Sequence, residues 1–291
     1  MKNTQELLNI LTLDDLGEGN FNGVSRDIGS PNVFGGQVLA QALNAAYRTT
    51  PKERILHSLH SYFLEAGNLE LPITYHVQII RDGGSFSTRR VTAHQKDKTI
   101  FILSCSFHKK EEGYEHQMPI KKDLKQPEEL LSWTDMLDQF GAFLPKKMKD
   151  FLSIERPIDF KPVQIVNPLD RKDLPPVVDV WFKLKGEASD LPLGIKQQIL
   201  TYISDYNILT ACLNPNASVA NFGNTQMASL DHSMWFYRDF DFNDWMLFSV
   251  ESPNTNGARG FACGNIYTRE GKLIASVAQE GLMRPMKKST S

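Results

Sequence analysis

Cysteine is scarce: Cys105, Cys212 and Cys263 are spread thinly over 291 residues. That excludes a disulfide framework and a cysteine-rich zinc cluster. Neither sign of charge is in excess. The 32 basic and 34 acidic side chains leave a net charge of −2, so no electrostatic argument favours a nucleic-acid partner. No apolar run approaches the ~18–20 residues that a membrane-spanning helix needs, and no membrane span is expected. The segment Met1 to Glu6 is polar and has no signal-peptide core, so a reducing, cytoplasmic location is the expectation. Phosphate-binding loops, paired Cys-x-x-Cys, His-Glu-x-x-His and the Gly-x-Ser-x-Gly elbow are all missing. Neither a metal nor a cofactor is therefore expected. Gly17-Glu18-Gly19 with Gly23 has the wrong spacing for a dinucleotide loop and no preceding strand. Asn216-Ala217-Ser218 is read as a chance glycosylation match, and Lys288 to Ser291 is not a Ser-Lys-Leu address.

With 41% hydrophobic and 23% charged residues the chain has the balance of a globular domain, and within it one half recurs. His60-Ser61-Tyr62-Phe63-Leu64 is echoed by His232-Ser233-Met234-Trp235-Phe236, an offset of 172 residues. The helix-like run Gly36 to Leu43 is echoed by Ser204 to Ala211. Two strand-like runs follow each copy. A repeat of this length implies a duplicated domain rather than a solenoid unit.

Periodicity fills in the halves. Leu7–Leu16 reads as a short amphipathic helix. Val38, Leu39, Ala42, Leu43 and Ala46 recur at three- and four-residue spacing and predict a buried helix from Gly35-Gly36 to about Tyr47. Strands are expected at 57–63, 73–82, 85–94 and 100–108, with a hairpin turn at Arg81-Asp82-Gly83-Gly84. From Lys109 to Pro176 charge and proline dominate. This stretch reads as a connector with helices in 127–140 and 146–152. The second half then predicts a strand at 177–185, a helix at 196–213, and strands near 227–237, 245–253, 257–268 and 272–283.

Three polar residues of the second half draw attention. Asp205 falls within the apolar run Ile199 to Leu209, on a stripe with Tyr202 and Leu209. A partly buried carboxylate there is costly unless hydrogen-bonded, and such positions are enriched in function. Gln279 closes an apolar strand where the first half has Cys105, and Gln37 is the rough counterpart of Asp205. Ordinary divergence after duplication is a serious alternative for both differences. Strand alternation puts Ser229, Asp231 and Ser233 on one face and sets His232 apart, so Asp231-His232-Ser233 cannot converge as a triad. Arg81, Arg89, Arg90 and Arg259 could meet an anionic ligand, although strand arginines beside turns are more often solvated charges.

The motifs Val33-Phe34-Gly35-Gly36-Gln37-Val38, His57 to Leu64, Arg81-Asp82-Gly83, Ser85 to Val91, Leu230 to Phe236, Ala258-Arg259-Gly260-Phe261 and Val277-Ala278-Gln279-Glu280-Gly281 resemble the type II acyl-CoA thioesterase family over nearly the whole chain. The resemblance implies an α+β double hotdog, two antiparallel sheets each wrapped around a long central helix. The domains would be 1–108 and 177–291, with 109–176 as connector. It implies hydrolysis of fatty acyl-CoA to free fatty acid and coenzyme A, in fatty acid metabolism. Asp205, Ser229 and Gln279 take the catalytic positions, and Ser229 stands where family members most often have threonine. Gly35, Gly36, His57, Arg89 and Arg259 are the expected substrate-binding residues. A homodimer or homotetramer is the expected assembly. A double-hotdog enoyl-CoA hydratase with an Asp/His dyad and a non-catalytic acyl-CoA binding module are the competing readings.

Overall fold

In the computed structural model, which describes residues 1–144, 146–164 and 172–286, the chain opens on α1 (Thr4–Leu11). Asn3 caps this helix by accepting from the Glu6 amide. The helix therefore begins and ends earlier than the apolar pattern predicts. The Gly- and Asn-rich stretch after it, unassigned from sequence, is a hairpin of β1 (Asp14–Gly17) and β2 (Asn20–Gly23). Glu18 and Gly19 both have positive φ, as a tight two-residue hairpin turn requires. Then follow α2 (Gly35–Arg48), β3 (Arg54–Phe63), β4 (Ile73–Asp82), β5 (Phe86–Gln95) and β6 (Lys98–Lys109), close to the predicted bounds.

The connector holds α3 (Trp133–Phe140) and α4 (Lys146–Ser153), as periodicity predicts, and also a strand that it does not predict, β7 (Ile158–Pro162). Residues 165–171 of the connector and the Lys288–Ser291 tail lie outside the described residues. The second half runs β8 (Val177–Leu184), α5 (Leu193–Ser204), α6 (Thr210–Leu213), β9 (Thr225–Ser229), β10 (Asp231–Phe236), β11 (Met246–Asn256), β12 (Arg259–Thr268) and β13 (Leu273–Pro285).

The strands form one continuous antiparallel sheet, in the order β1-β2-β4-β5-β6-β3-β10-β13-β12-β11-β8-β7, with β9 also paired to β13. Read outward from the β3–β10 seam, each half has the same order: β3-β6-β5-β4 on one side, β10-β13-β12-β11 on the other. The duplication is thus visible as topology. The two expected sheets are fused, because β3 and β10 pair directly, Ser61 opposite His232. Joining at the seam removes two sheet edges that would otherwise expose unpaired backbone groups.

The helices α2 and α5 pack against each other in antiparallel fashion. Asn44 donates to Gln198 at 2.9 Å near one end, and Gly36 meets Asp205 near the other. Almost every residue from Gly36 to Ala46 is buried, as is every residue from Lys196 to Ser204. Helices enclosed to this degree must satisfy their polar side chains internally. Gln41 does so by donating to the Ile10 and Val24 carbonyls and accepting from the Tyr75 hydroxyl. One apolar core runs through both halves.

The two His-Ser echoes do not occupy equivalent faces. His60 is exposed, stacks edge-on against Trp235 and bonds the Ser233 hydroxyl, whereas His232 is fully buried. An offset of 172 therefore equates side chains on opposite sides of the sheet. Likewise the partner of α2 is α5, not the echoed run Ser204–Ala211. Gln37 opens α2 and serves the Arg26 amide and Val24 carbonyl, while Asp205 closes α5. They are not positional counterparts.

Candidate active site

Sequence periodicity predicts a single helix over 196–213, but the chain breaks it. The helix α5 ends at Ser204 with Asp205 as its C-terminal cap residue, and Asn207 takes a left-handed φ of 66° before α6 begins. Asparagine tolerates that region better than most residues, since its short amide can bond locally. Asp205 is thus at a helix end, where carbonyl oxygens make a poor environment for a carboxylate. The compensation comes from the other half. The Gly36 amide, in the first turn of α2, donates to Asp205 Oδ2 at 2.8 Å, which is the usual way a helix N-terminus holds an anion.

Both glycines are needed for that approach. A Cβ on Gly35 would lie 2.7 Å from Asp205 Oδ2, and one on Gly36 would lie 2.4 Å from the Tyr202 carbonyl oxygen. Aromatic rings wall the carboxylate. Phe34 packs on Tyr202 and Tyr206 with ring centroids 5.1 and 4.6 Å apart. Asp205 is partly accessible as a residue, yet its Oδ1 is enclosed and has no hydrogen-bond partner. Burial pushes its pKa up to about 7, against the opposing pull of the Gly36 amide and the nearby Gln279 and Ser229 side chains. A base poised near neutrality suits proton transfer.

Ser229 and Gln279 meet directly: Gln279 Nε2 donates to Ser229 Oγ at 2.8 Å. Gln279 is almost fully buried, and its Oε1 is held in a short hydrogen bond by His232 Nδ1. This corrects the alternation argument, which set His232 apart from Ser229. Ser229 is opposite Gly281 and Ser233 opposite Ala278, so 230–232 face only two residues of β13. The extra residue is a β-bulge, and it reverses the facing beyond it. Ser229 and His232 therefore point to the same amide, while Asp231 turns the other way to accept from the Glu280 amide at 2.7 Å. Burial lowers the pKa of His232 to about 4, opposed by its bond to Gln279, so the ring is neutral at pH 7. No carboxylate bonds it, so the Asp/His dyad of the hydratase reading is absent from this residue.

The expected substrate-binding residues separate. Gly35 and Gly36 are at the site. His57 instead meets Phe86 and His108 edge-on. Arg89 is fully enclosed, and its five N–H groups are taken by Thr49, Arg81, Thr88 and Asp82. It has no donor left for a ligand and holds the β4–β5 hairpin to the end of α2. Arg259 remains half-exposed and pairs with Glu280 at 2.9 Å. Among the described residues no helix is long and apolar enough to cross a membrane, and no cluster of metal-ligating side chains occurs.

A carboxylate, a hydroxyl and an amide thus gather where α2 of one half meets the end of α5 in the other, within a helix-and-sheet fold. Comparisons with known proteins identify the family. Residues 25–108 match the family model "Acyl-CoA thioesterase N-terminal domain", and 148–282 match "Acyl-CoA thioesterase". The chain is 39% identical to acyl-CoA thioesterase 2 of Haemophilus influenzae, with 96% of each covered. It is 38% identical to acyl-coenzyme A thioesterase 8 of Mus musculus, with 88% of this chain and 81% of that one covered. Among solved structures it superposes on acyl-CoA thioesterase II TesB2 from Mycobacterium marinum with a TM-score of 0.77 at 31% identity, covering 98% and 99% of the two chains. A hot dog fold protein of Alicyclobacillus acidocaldarius, at 15% identity with a TM-score of 0.77, shares the fold. The chain belongs to the type II acyl-CoA thioesterase family and is an acyl-CoA thioester hydrolase.

Proposed function

We propose that the protein hydrolyses fatty acyl-CoA to free fatty acid and coenzyme A by direct attack of water, with Asp205 as general base and Ser229 and Gln279 as the groups that hold the water. The enclosed, half-partnered carboxylate of Asp205 carries this reading. It has one oxygen on the Gly36 amide and the other unbonded, facing the Ser229–Gln279 pair. Water adds to the thioester carbonyl carbon and gives its proton to Asp205. The tetrahedral intermediate then expels the thiolate, which takes a proton back from Asp205 as the carbon–sulfur bond breaks. A positioned carboxylate contributes roughly 10²–10⁴ in rate to such a step. The Gly36 amide is committed to Asp205, so the developing oxyanion falls to the Gly35 amide at the same helix start.

The finer architecture belongs to the same reading. Each half is a hotdog whose part of the sheet wraps its own helix, with domains 1–108 and 177–291 and connector 109–176. The acyl chain lies between sheet and helix, and the pantetheine arm lies between the halves. A cytoplasmic homodimer or homotetramer acting in fatty acid metabolism fits this organisation.

The test is thiol release from palmitoyl-CoA by Asp205→Asn and Gln279→Ala. Both are expected to lose most turnover. Near-wild-type rates in both, with folding intact, would end the assignment of these residues.

A further inference from the structure

One buried polar group at the site is unused by this chemistry. His232 is fully enclosed, with Nδ1 against Gln279 Oε1 and Nε2 2.9 Å from Ser204 Oγ. Ser204, His232, Gln279 and Ser229 thus form one unbroken hydrogen-bonded chain from the last turn of α5 to the bulge between β9 and β10.

We infer that His232 is a positioning residue for hydrolysis: its Nδ1–H locks the Gln279 carboxamide so that the amide nitrogen faces Ser229 and the Ser229 hydrogen is left free to point at the reacting water. This rests on the catalytic reading of Gln279 and Ser229 given above.

The direction of each bond follows from counting hydrogens. Gln279 Oε1 is an acceptor only, so the ring nitrogen facing it must carry the hydrogen. A neutral ring has one N–H, and burial keeps this ring neutral. Nε2 is then an acceptor, and the Ser204 hydroxyl gives it a hydrogen rather than giving it to the Thr201 carbonyl, 2.9 Å away. With Oε1 held, Gln279 donates to Ser229 Oγ, and the serine hydrogen is free to point elsewhere. In the other tautomer Nδ1 would be a lone pair. Gln279 would have to turn over, and Ser229 would spend its hydrogen on Oε1. The tautomer of a histidine one residue beyond the bulge therefore decides what the catalytic hydroxyl presents to substrate.

The two amide side chains separate this role from a merely structural one. Asparagine at 232 brings a nitrogen donor to the place of Nδ1, and glutamine brings one to the place of Nε2. Turnover of palmitoyl-CoA is to be measured for His232→Asn, His232→Gln and His232→Leu, each alone and with Gln279→Ala, alongside thermal melting. His232→Leu is expected to lower kcat by roughly tenfold to a hundredfold, since misplacing a positioned group costs about that much. KM should stay within about twofold, because the group touches no substrate. His232→Asn should recover most of the loss and His232→Gln should not. Combined with Gln279→Ala, none of the three should lower the rate further, because His232 acts only through that amide. Recovery by glutamine rather than asparagine, or losses that multiply with Gln279→Ala, overturns the inference while leaving the site reading intact. Wild-type turnover in His232→Leu does the same. Near-wild-type turnover in Gln279→Ala alone removes the site reading and this inference with it. Should His232→Leu fail to fold, the asparagine–glutamine contrast decides alone.

Discussion

The backbone amide of Gly36 and the carboxylate of Asp205 meet at 2.8 Å across the junction of the two halves. One residue lies in the first turn of α2 and the other at the end of α5, 169 positions apart. The bond ties the helix dipole of one half to the candidate base in the other, so neither half holds the candidate site alone.

Alanine at either glycine tests that junction. The added methyl of Gly36→Ala would press on the Tyr202 carbonyl and the Phe34 ring. Overpacking of this kind costs about 1–3 kcal/mol, readable as a lowered denaturation midpoint. Gly35→Ala meets Asp205 Oδ2 itself and is expected to cost more activity than stability. Thiol release and urea unfolding on both variants check the contrast.

Asp205 gives a pH signature in stability. An unfolded aspartate titrates near ~3.9, while the folded group is raised to about 7. Between these values the folded protein holds a proton that the unfolded chain has released. The stability it brings is present below the unfolded value and is lost as pH rises through about 7. Asp205→Asn should therefore melt above the wild type at pH 8, and the gap should close toward pH 4. Calorimetry across that window reads it directly.

The same group sets a kinetic limb. As a base Asp205 must be ionised, so kcat/KM is expected to rise with pH through about 7. Residual activity in Asp205→Asn should lack that limb. His232, held near 4, adds none above pH 5. A full pH–rate profile of both proteins is the check.

Ser229 offers a conservative pair of variants. Its hydroxyl accepts from Gln279, and threonine keeps the oxygen with fewer rotamers to lose. Ser229→Thr should match or exceed wild-type turnover. Ser229→Ala should fall by roughly a hundredfold to a thousandfold, the range for losing one positioned hydrogen-bond donor. Equal rates for the two variants would remove the hydroxyl from the mechanism.

The two arginines should behave oppositely. Arg89→Met strands the Thr49 and Arg81 carbonyls and the Asp82 carboxylate. It is expected to cost about 2–3 kcal/mol in unfolding with KM unchanged in the folded protein. Arg259→Met removes a surface pair worth about 0–1 kcal/mol, and it should raise KM for acyl-CoA if that side chain meets coenzyme A phosphate. Denaturation curves beside KM values separate the roles.

The order helix then four strands in each half, the strand that opens the second half, the buried helix from Gly35, and the candidates Asp205, Ser229 and Gln279 were all legible in sequence. Apolar periodicity and long motifs are local, and local patterns survive reading one residue at a time. The β1–β2 hairpin and β7 were not legible. Their strands are only four or five residues long, too short for alternation to stand out, and are held by the sheet edges they join.

What the sequence by itself determined, then, is a duplicated chain of the acyl-CoA thioesterase family with its candidate polar residues in the second half. Only the tertiary structure decided how they are arranged. The left-handed turn at Asn207 ends α5 at Asp205, although every residue around it reads as helix. The bulge after Ser229 turns His232 inward, although strand alternation points it away. The β3–β10 pairing fuses two sheets into one and brings Gly36 to Asp205. The bulge and the β3–β10 pairing each depend on a partner more than twenty residues away in sequence, and no local pattern specifies such a partner.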